Sequence, residues 1–355
     1  MQIHQFHGVV AYGDAIGNHI LSLQRMLRKM GHTSEIFSEF VQRGFESRTR
    51  PCTKYHKYSA SGNVLLCHFS IGYPPQTMSW LQSIPDRKVL VYHNITPHQY
   101  FAGVSDTFYE NARAGREQLQ QMCSLTQAGW GDSDYNRREL VQLGWQQTAV
   151  LPIVFDPAMY QLKPDRAVLK KCQSLEGPKV LFVGRLVPNK KYKDLILTFY
   201  YLKRIEPRAR LFLVGTADHM ESYLDYLQAL IKRLDLDDVI ITGHVSRSEL
   251  VAYYRTADIY LSMSEHEGFG VPLLESMYFD VPVVAFSAAA VPETMGDAGV
   301  LLTQKDHAAI AELVSMLTHN DSLRARILER QRERWQSFTP GAQMDQLQHC
   351  LEMLG

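Results

Sequence analysis

The sequence predicts an α/β chain built as two parallel-sheet domains in series. Three observations carry this prediction. The chain has 355 residues, more than one ordinary core accommodates, and two domains of roughly 150–180 residues each are expected. Continuous apolar runs alternate with stretches of helical periodicity, the mark of parallel strands covered on both faces. A passage from Leu151 to Lys179, rich in proline and charge, separates two such series and reads as the crossing from one domain to the next. The expected division is 1–155 and 156–337, with 338–355 assigned by the resemblance described below.

The elements follow in order. "HGVV" at 7–10 is a short strand candidate, and "GDAIGN" at 13–18 is a small-residue turn. Ile20, Leu23, Leu27 and Met30 then recur at helical spacing, and Gly31 closes the helix. "NVLLCHFS" at 63–70 and "KVLVYHNI" at 88–95 are buried-strand runs. The second series brings "KVLFVGRL", "ARLFLVG", "DVIITGHV", "ADIYLSMS" and "VPVVAF". Ser246 and Glu249 form an S-x-x-E capping box that opens a helix. Residues 306–355 are mostly helical by periodicity. Ligands of such sheets sit beyond the carboxyl ends of the strands, and a cleft between two of them is a favoured ligand site.

Composition narrows the class. Lys+Arg and Asp+Glu both number 37, for a formal net charge of zero and a pI of about 7.2. A whole-protein field that attracts nucleic acid is not indicated. Residues 1–150 carry 14 basic against 11 acidic side chains, and part of that excess lies between Arg43 and Lys57, with Arg48, Arg50 and Lys54. That stretch is either a solvated loop or a contact for anionic lipid heads or a lipid-linked phosphate acceptor. The five cysteines are scattered and form no C-x-x-C pair, which fits reduced cytosolic thiols. No signal peptide or membrane span is evident. A cytoplasmic protein is expected, attached to a membrane at most at its surface.

The densest signal is "SEHEGFGVPLLES" at 264–276. Placed after the strand "ADIYLSMS", it puts Glu267 in the loop at the strand's carboxyl end. Gly268 and Gly270 let the backbone approach a ligand, and Pro272 suits the start of a helix whose positive end faces the loop. Glu275 falls one turn in. Taken singly, a glutamate in a first turn and a Gly-x-Gly before a helix are ordinary structural features. Their joint spacing is specific. A second group, "FVGRLVPNKKYKDLI" at 182–196, sets Arg185 and Lys190 after another strand. Two cations there can grip a diphosphate, one as a fork and one as a point charge, or belong to a solvated loop.

"GRLVPNK", "GHVSRSEL", "ADIYLSMSEHEGFGVPLLESM" and "VPETMGDAGVLL" resemble the nucleotide-sugar half of the retaining GT-B glycosyltransferases of family four, the E-x7-E type. Within that family the chain is similar to bacterial polysaccharide and O-antigen mannosyltransferases. The resemblance is strong over about 178–305 and extends more weakly over 1–155. It implies two Rossmann-like domains facing each other across a cleft, the first on the acceptor side and the second holding the donor, with a last helix, 338–355, packing back on the first. It implies that Arg185 and Lys190 hold the donor diphosphate. Glu275 would bind the ribose hydroxyls, Glu267 with the backbone of Phe269 and Gly270 would sit at the sugar, and Val271 would be among the donor-binding residues. Val245 would edge the base, and His93 would lie near the transferred sugar; the residue-level alternative for His93 is a packed polar side chain at a strand end. Gly13 and Gly17 occupy the place of the family's Gly-Gly turn, with Asp14 and Ala15 where the usual pair aligns. Glu267 and His93 are the expected catalytic residues.

The resemblance implies a retaining hexosyltransferase, mannose first, working from a nucleotide-diphospho-sugar. GDP-mannose is the first expectation and a UDP-sugar the second. The acceptor would be a hydroxyl of a glycan or a polyprenyl-diphosphate-linked saccharide in bacterial surface polysaccharide, including lipopolysaccharide, synthesis, with peripheral contact at the inner membrane face. "GDSD" at 131–134 contains an Asp-x-Asp, but Ser133 or Asp134 fits a helix N-cap better than a metal ligand; the two cations Arg185 and Lys190 would supply what a metal would, and neither metal nor cofactor is expected. The competing readings are a GT-B sugar-nucleotide epimerase and a non-catalytic sugar-nucleotide-binding protein. No G-x-G-x-x-G follows a strand, which argues against a dinucleotide-dependent oxidoreductase.

Overall fold

The computed structural model describes residues 1–10, 14–41 and 46–355. The chain divides into two compact units. Unit one comprises residues 1–98, 107–156 and 338–355, and unit two comprises 99–106 and 157–337. The segment 99–106, expected with the first domain, thus groups with the second.

Unit one runs β1 (Ile3–Val9), α1 (Ala15–Lys29), β2 (Ile36–Phe40), β3 (Thr49–Pro51), β4 (Val64–Phe69), α2 (Pro75–Ser83), β5 (Arg87–Tyr92), α3 (Asp106–Leu125), β6 (Ala128–Gly131), α4 (Asp134–Gln142) and β7 (Thr148–Val150). Among the described residues its strands form one parallel sheet in the order β3-β2-β1-β4-β5-β6-β7. Strand β1 is longer than "HGVV" suggests. His4 and Gln5 interrupt the apolar pattern, yet both are fully buried with side-chain partners. Strand β6, Ala-Gly-Trp-Gly, has no apolar run because α4 and the Trp145 ring lie too close for side chains. A Cβ on Gly131 would come within 2.6 Å of the Arg137 amide, and one on Gly129 within 2.9 Å of Trp145.

Unit two runs α5 (Arg166–Gln173), β8 (Lys179–Val183), α6 (Tyr192–Ile205), β9 (Arg210–Val214), α7 (Glu221–Arg233), β10 (Val239–Gly243), α8 (Arg247–Thr256), β11 (Ile259–Ser262), α9 (Val271–Tyr278), β12 (Val283–Phe286), α10 (Val291–Met295), β13 (Val300–Leu302), α11 (His307–His319) and α12 (Asp321–Gln336). Its parallel sheet has the order β10-β9-β8-β11-β12-β13. The expected Ser246–Glu249 capping box is present at the start of α8.

Both sheets follow the doubly wound order 3-2-1-4-5-6, the first with one strand more. Strand order reverses between β1 and β4 in unit one and between β8 and β11 in unit two. The crevice beyond the carboxyl ends at such a reversal is where these sheets take ligands.

The last helix, α13 (Met344–Glu352), belongs to unit one. Leu347, Cys350, Leu351 and Leu354 are buried in one cluster with Ile3, Leu27, Val64, Val89 and Trp130. Each leucine so buried contributes roughly 1.5–3 kcal/mol. The Phe155 amide donates to the Phe338 carbonyl (2.7 Å), so the strands of chain that leave and re-enter unit one are bonded to each other.

Candidate active site

The residues singled out in unit two gather at the carboxyl ends of β8 and β11. The β8 strand ends at Val183, and Gly184 and Arg185 follow, with Arg185 exposed. A single 3-10 turn, Pro188–Lys190, leads into α6 through Lys191 in the left-handed region at φ 53°. The turn is locked to the loop after β11. The Glu265 amide donates to the Asn189 carbonyl (2.9 Å), and Asn189 Nδ2 donates to the His266 carbonyl (3.0 Å). This brings Lys190 and Glu267 together: Nζ lies 2.6 Å from both Oε1 and Oε2. Their side chains are 19% and 14% exposed. A cation on one strand end is thus chelated by a carboxylate on the next, at the reversal of strand order.

The rest of the Glu267 loop is fixed from its other side. The Ala290 amide donates to the Glu267 carbonyl (3.2 Å), and Thr294 Oγ1 donates to the Phe269 carbonyl (2.6 Å). Phe269 is buried, whereas Gly270 and Val271 are half-buried. Gly270, at φ 95°, is the N-cap of α9, which starts at Val271 with Pro272 as its second residue. No side chain caps α9. The same holds for α2, α6, α7, α10 and α13, whereas α1, α4, α5, α8, α11 and α12 are capped by Asp14, Ser133, Asp165, Ser246, Asp306 and Asn320. An uncapped N-terminus leaves backbone donors and the positive end of the helix dipole for an anion.

Glu275 sits on the buried face of α9, 7% exposed. Its carboxylate accepts from two tyrosine hydroxyls, Tyr160 at Oε1 and Tyr254 at Oε2, the latter at 2.5 Å. Burial pushes its pKa up, and the two hydroxyls pull against that shift. Each carboxylate oxygen retains a second lone pair, so the group still has acceptor capacity for a pair of hydroxyls. Val245 is half-buried in the loop between β10 and α8.

Sequence reasoning missed the residues that hold these in place. Tyr160 and Tyr254 stand in none of the quoted motifs, and Asn189 and Thr294 lie within motifs that assign them no role. An ionic group also went unread. Glu265 bonds Lys191 and Lys305 (2.8 Å each), and Lys305 also bonds Asp194 (2.7 Å). Lys191 lies over the Tyr100 ring at 5.5 Å. It thereby helps to attach segment 99–106 to unit two.

In unit one, Gly13 lies outside the described residues, as does Arg43 of the basic stretch. Gly17 is buried in the first turn of α1, and its amide donates to Asp14 Oδ2 (3.1 Å). That helix end is therefore capped by its own carboxylate. Ser133 is the N-cap of α4, and Asp134 pairs with Arg137 and Arg138. The other aspartate of the "GDSD" run, Asp132, is hydrogen-bonded to His93 Nδ1 (3.0 Å). Among the described residues no group of three or more His, Cys, Asp or Glu is placed to hold a metal ion. No described helix is long and apolar enough to cross a membrane. The His93 side chain is 1% exposed. Both of its ring nitrogens are engaged inside unit one, so it presents no ring nitrogen for direct contact with a sugar in this arrangement.

Residues 169–334 match the family described as "Glycosyl transferases group 1". Mannosylfructose-phosphate synthase of Agrobacterium fabrum is 36% identical over 124 residues, 34% of this chain and 27% of that protein. D-inositol 3-phosphate glycosyltransferase of Kineococcus radiotolerans is 31% identical over 191 residues, 51% and 44% of the two chains. O-antigen chain mannosyltransferase B of Escherichia coli is 33% identical over 160 residues, 44% and 41%. The chain thus spans less than half the length of these curated relatives. Among solved structures, sucrose-phosphate synthase of Thermosynechococcus elongatus superposes with TM-score 0.74 at 18% identity, covering 99% of this chain and 98% of that one. HepE of Anabaena, solved with UDP and glucose, gives 0.74 at 19% identity over 99% of each chain. The fold is that of the GT-B glycosyltransferases, with two Rossmann-like parallel sheets flanked by helices.

Proposed function

We propose that the chain is a retaining glycosyltransferase. It moves a hexose, mannose first, from a nucleotide-diphospho-sugar to a hydroxyl of a glycan or lipid-linked acceptor in surface polysaccharide synthesis. The observation that carries the reading is the Lys190–Glu267 pair at the carboxyl ends of β8 and β11, beside an α9 N-terminus with no capping side chain. A diphosphate held by Lys190 and Arg185 places its sugar within reach of Glu267, because the anomeric carbon is one oxygen from the β-phosphorus. The match of 169–334 to group 1 glycosyl transferases supports the same reading. So do relatives named as an O-antigen mannosyltransferase and a GDP-mannose-dependent mannosyltransferase.

The chemistry follows from where charge develops. The acceptor oxygen bonds to the anomeric carbon while the bond from that carbon to the β-phosphate oxygen breaks. The nucleoside diphosphate leaves with the bonding electrons, and its departing oxygen takes the acceptor's proton. Lys190, Arg185 and the α9 backbone donors oppose the charge on the leaving group, the largest kind of catalytic term. Glu267 stands on the sugar side, opposite growing positive charge, and Lys190 fixes its rotamer. Attack and departure on one face retain the anomeric configuration. Glu275 takes the ribose hydroxyls with its remaining lone pairs. Val245 edges the base. Fixed cations supply what a metal would, and the reaction needs no cofactor. The exposed cations Arg48, Lys54 and Lys57 are suited to a phosphate-bearing lipid carrier or to anionic heads at the inner membrane face, in the cytoplasm.

The test is thermal stabilisation by GDP, UDP, ADP and their sugar conjugates, with and without EDTA. A ligand that binds the folded state raises its melting temperature with affinity and concentration. One base standing out, indifferent to EDTA, is the expected result, followed by an α-linked product from an α-linked donor. No shift with any nucleotide overturns the donor site, and an inverted product overturns the same-face mechanism.

A further inference from the structure

Four histidines of unit one converge where strand order reverses between β1 and β4. They are His7 on β1, His19 on α1, His68 on β4 and His93 after β5. The His68 and His93 rings lie parallel within 7° at 5.1 Å, and His19 stands edge-on to both at 6.0 and 5.7 Å. A chain of hydrogen bonds runs through two of them. His68 Nε2 is 3.0 Å from Gln5 Oε1, His68 Nδ1 is 2.9 Å from His93 Nε2, and His93 Nδ1 is 2.9 and 3.0 Å from the Asp132 oxygens.

Counting protons along this chain constrains it. Gln5 Nε2 donates to the Ile20 carbonyl (3.1 Å), so the amide is oriented and Oε1 is an acceptor. At the other end an ionised Asp132 is also an acceptor. Three hydrogen bonds between two acceptors need three protons, and two neutral imidazoles supply two. The chain therefore holds one more, either as an imidazolium beside a carboxylate or as an Asp132 carboxylic acid. In each case its net charge is zero. Losing that proton would leave a bare negative charge in a buried site, and gaining another would leave a bare positive one; both are costly.

We propose that Asp132, His93, His68 and Gln5 form one proton-retaining unit in which Asp132 and His68 are positioning residues that prevent His93 from exchanging protons during turnover. The unit then keeps its net charge of zero through the proposed transfer, and the acceptor's proton leaves on the departing phosphate. The ionisable groups facing the unit do not relieve it. His19 Nδ1 accepts from the Val154 amide (3.0 Å), which fixes it as the neutral Nε2–H tautomer. His7 Nδ1 is bonded to the His68 carbonyl (2.8 Å), and the Tyr73 hydroxyl donates to the same oxygen (2.6 Å). Asp14 is the acidic group that acts on His7. In agreement, burial holds His19 and His68 well below the ordinary histidine range and pushes Asp132 above the ordinary aspartate range.

The functional meaning rests on the proposed transfer, but the proton inventory does not, so the test begins on the ligand-free protein. With 15N-labelled histidine, the ring shifts of His68 and His93 are followed from pH 5.5 to 9. The expectation is no inflection for either. A titration of His68 or His93 inside that window overturns the proposal, whether or not the protein transfers sugar. Asp132→Asn offers an amide N–H where the acid offered its proton, so the expected spectrum again lacks an inflection. Asp132→Ala opens the chain and is expected to give His93 a titration in the window. If Asp132→Ala does not fold, the contrast is drawn between wild type and Asp132→Asn, and a titrating His93 in Asp132→Asn counts against the proposal. Where transfer is measured, a kcat profile of the wild type with a histidine-like step between pH 5.5 and 8 also overturns it.

Discussion

Replacing Tyr254 by phenylalanine probes how the ribose-side carboxylate is held. The substitution removes one oxygen and nearly conserves volume, so the cavity contribution is small. What is lost is the hydroxyl that donates to Glu275 Oε2 at 2.5 Å, with Tyr254 fully buried and Glu275 nearly so. A hydrogen bond to a charged group is worth about 1.5–3 kcal/mol and one to a neutral group about 0.5–1.5. The loss therefore depends on whether Glu275 is ionised. Burial raises its pKa in the folded state above the unfolded value. The folded protein then binds this proton more tightly than the unfolded chain. The associated stability is complete below the unfolded value and declines as pH rises through the raised folded value. Tyr254→Phe removes a donor that favours the ionised form, so it raises the folded value further and steepens the loss at high pH. Urea unfolding at two pH values, one acidic enough to protonate Glu275 in the folded protein and one alkaline enough to ionise it, should show a loss of about 0.5–1.5 kcal/mol at the lower pH and about 1.5–3 kcal/mol at the higher. Equal losses at the two pH values would refute the argument that the hydroxyl acts on the ionised carboxylate.

Other substitutions separate binding from folding. Lys190→Met should lower kcat by roughly 10²–10³-fold, the cost of removing one preorganised charge partner, and should weaken nucleoside diphosphate binding; a variant with wild-type kcat places the leaving group elsewhere. Glu275→Gln is preferable to Glu275→Ala for testing ribose recognition, because alanine strands the Tyr160 and Tyr254 hydroxyls. It should cost about tenfold in nucleotide affinity by calorimetry, roughly 1.4 kcal/mol, and an unchanged affinity would remove Glu275 from the donor site. Gly215→Ala would set a Cβ 1.8 Å from the Gly184 carbonyl oxygen at φ 154°. It should lower stability by about 3 kcal/mol or prevent soluble expression, and a melting temperature within a degree of wild type would mean that the β8 loop has room to move.

Much of the fold was legible because buried parallel strands are written as apolar runs. The runs at 63–70, 179–186 and 257–264 each contain a strand, and the run at 88–95 holds all of β5 but its first residue. Legibility failed where packing replaced hydrophobicity. Strand β6 is marked by glycines that admit a helix, and β1 carries His4 and Gln5 directly after Ile3, with partners that include the Ile20 carbonyl and the Glu35 amide. The candidate site divides the same way. Glu267, Glu275, Arg185 and Lys190 stand in local patterns, since a strand end, a glycine turn and a helix start are contiguous in sequence. The contact between Lys190 and Glu267 spans 77 positions, and the tyrosines on Glu275 span 21 and 115. Such pairings are made by the sheet order, and no local spacing encodes them. His93 shows the limit most sharply. Its place at the end of β5 was readable, but its engagement by His68 and Asp132 comes from neighbouring strands.

The placement of α13 has a consequence for the order of synthesis. A ribosome completes residues 1–156 long before it reaches Leu347, yet those residues lack one wall of their core until Leu347, Leu351 and Leu354 arrive. Unit two, by contrast, is continuous from 157 to 337 apart from its short segment 99–106, and nearly all of it is available as one stretch. The half made first is therefore the half finished last. During that interval the apolar face awaiting α13 is open to chaperones or to the tail of another nascent copy. A stop placed after residue 337 should leave unit two folded and unit one marginal.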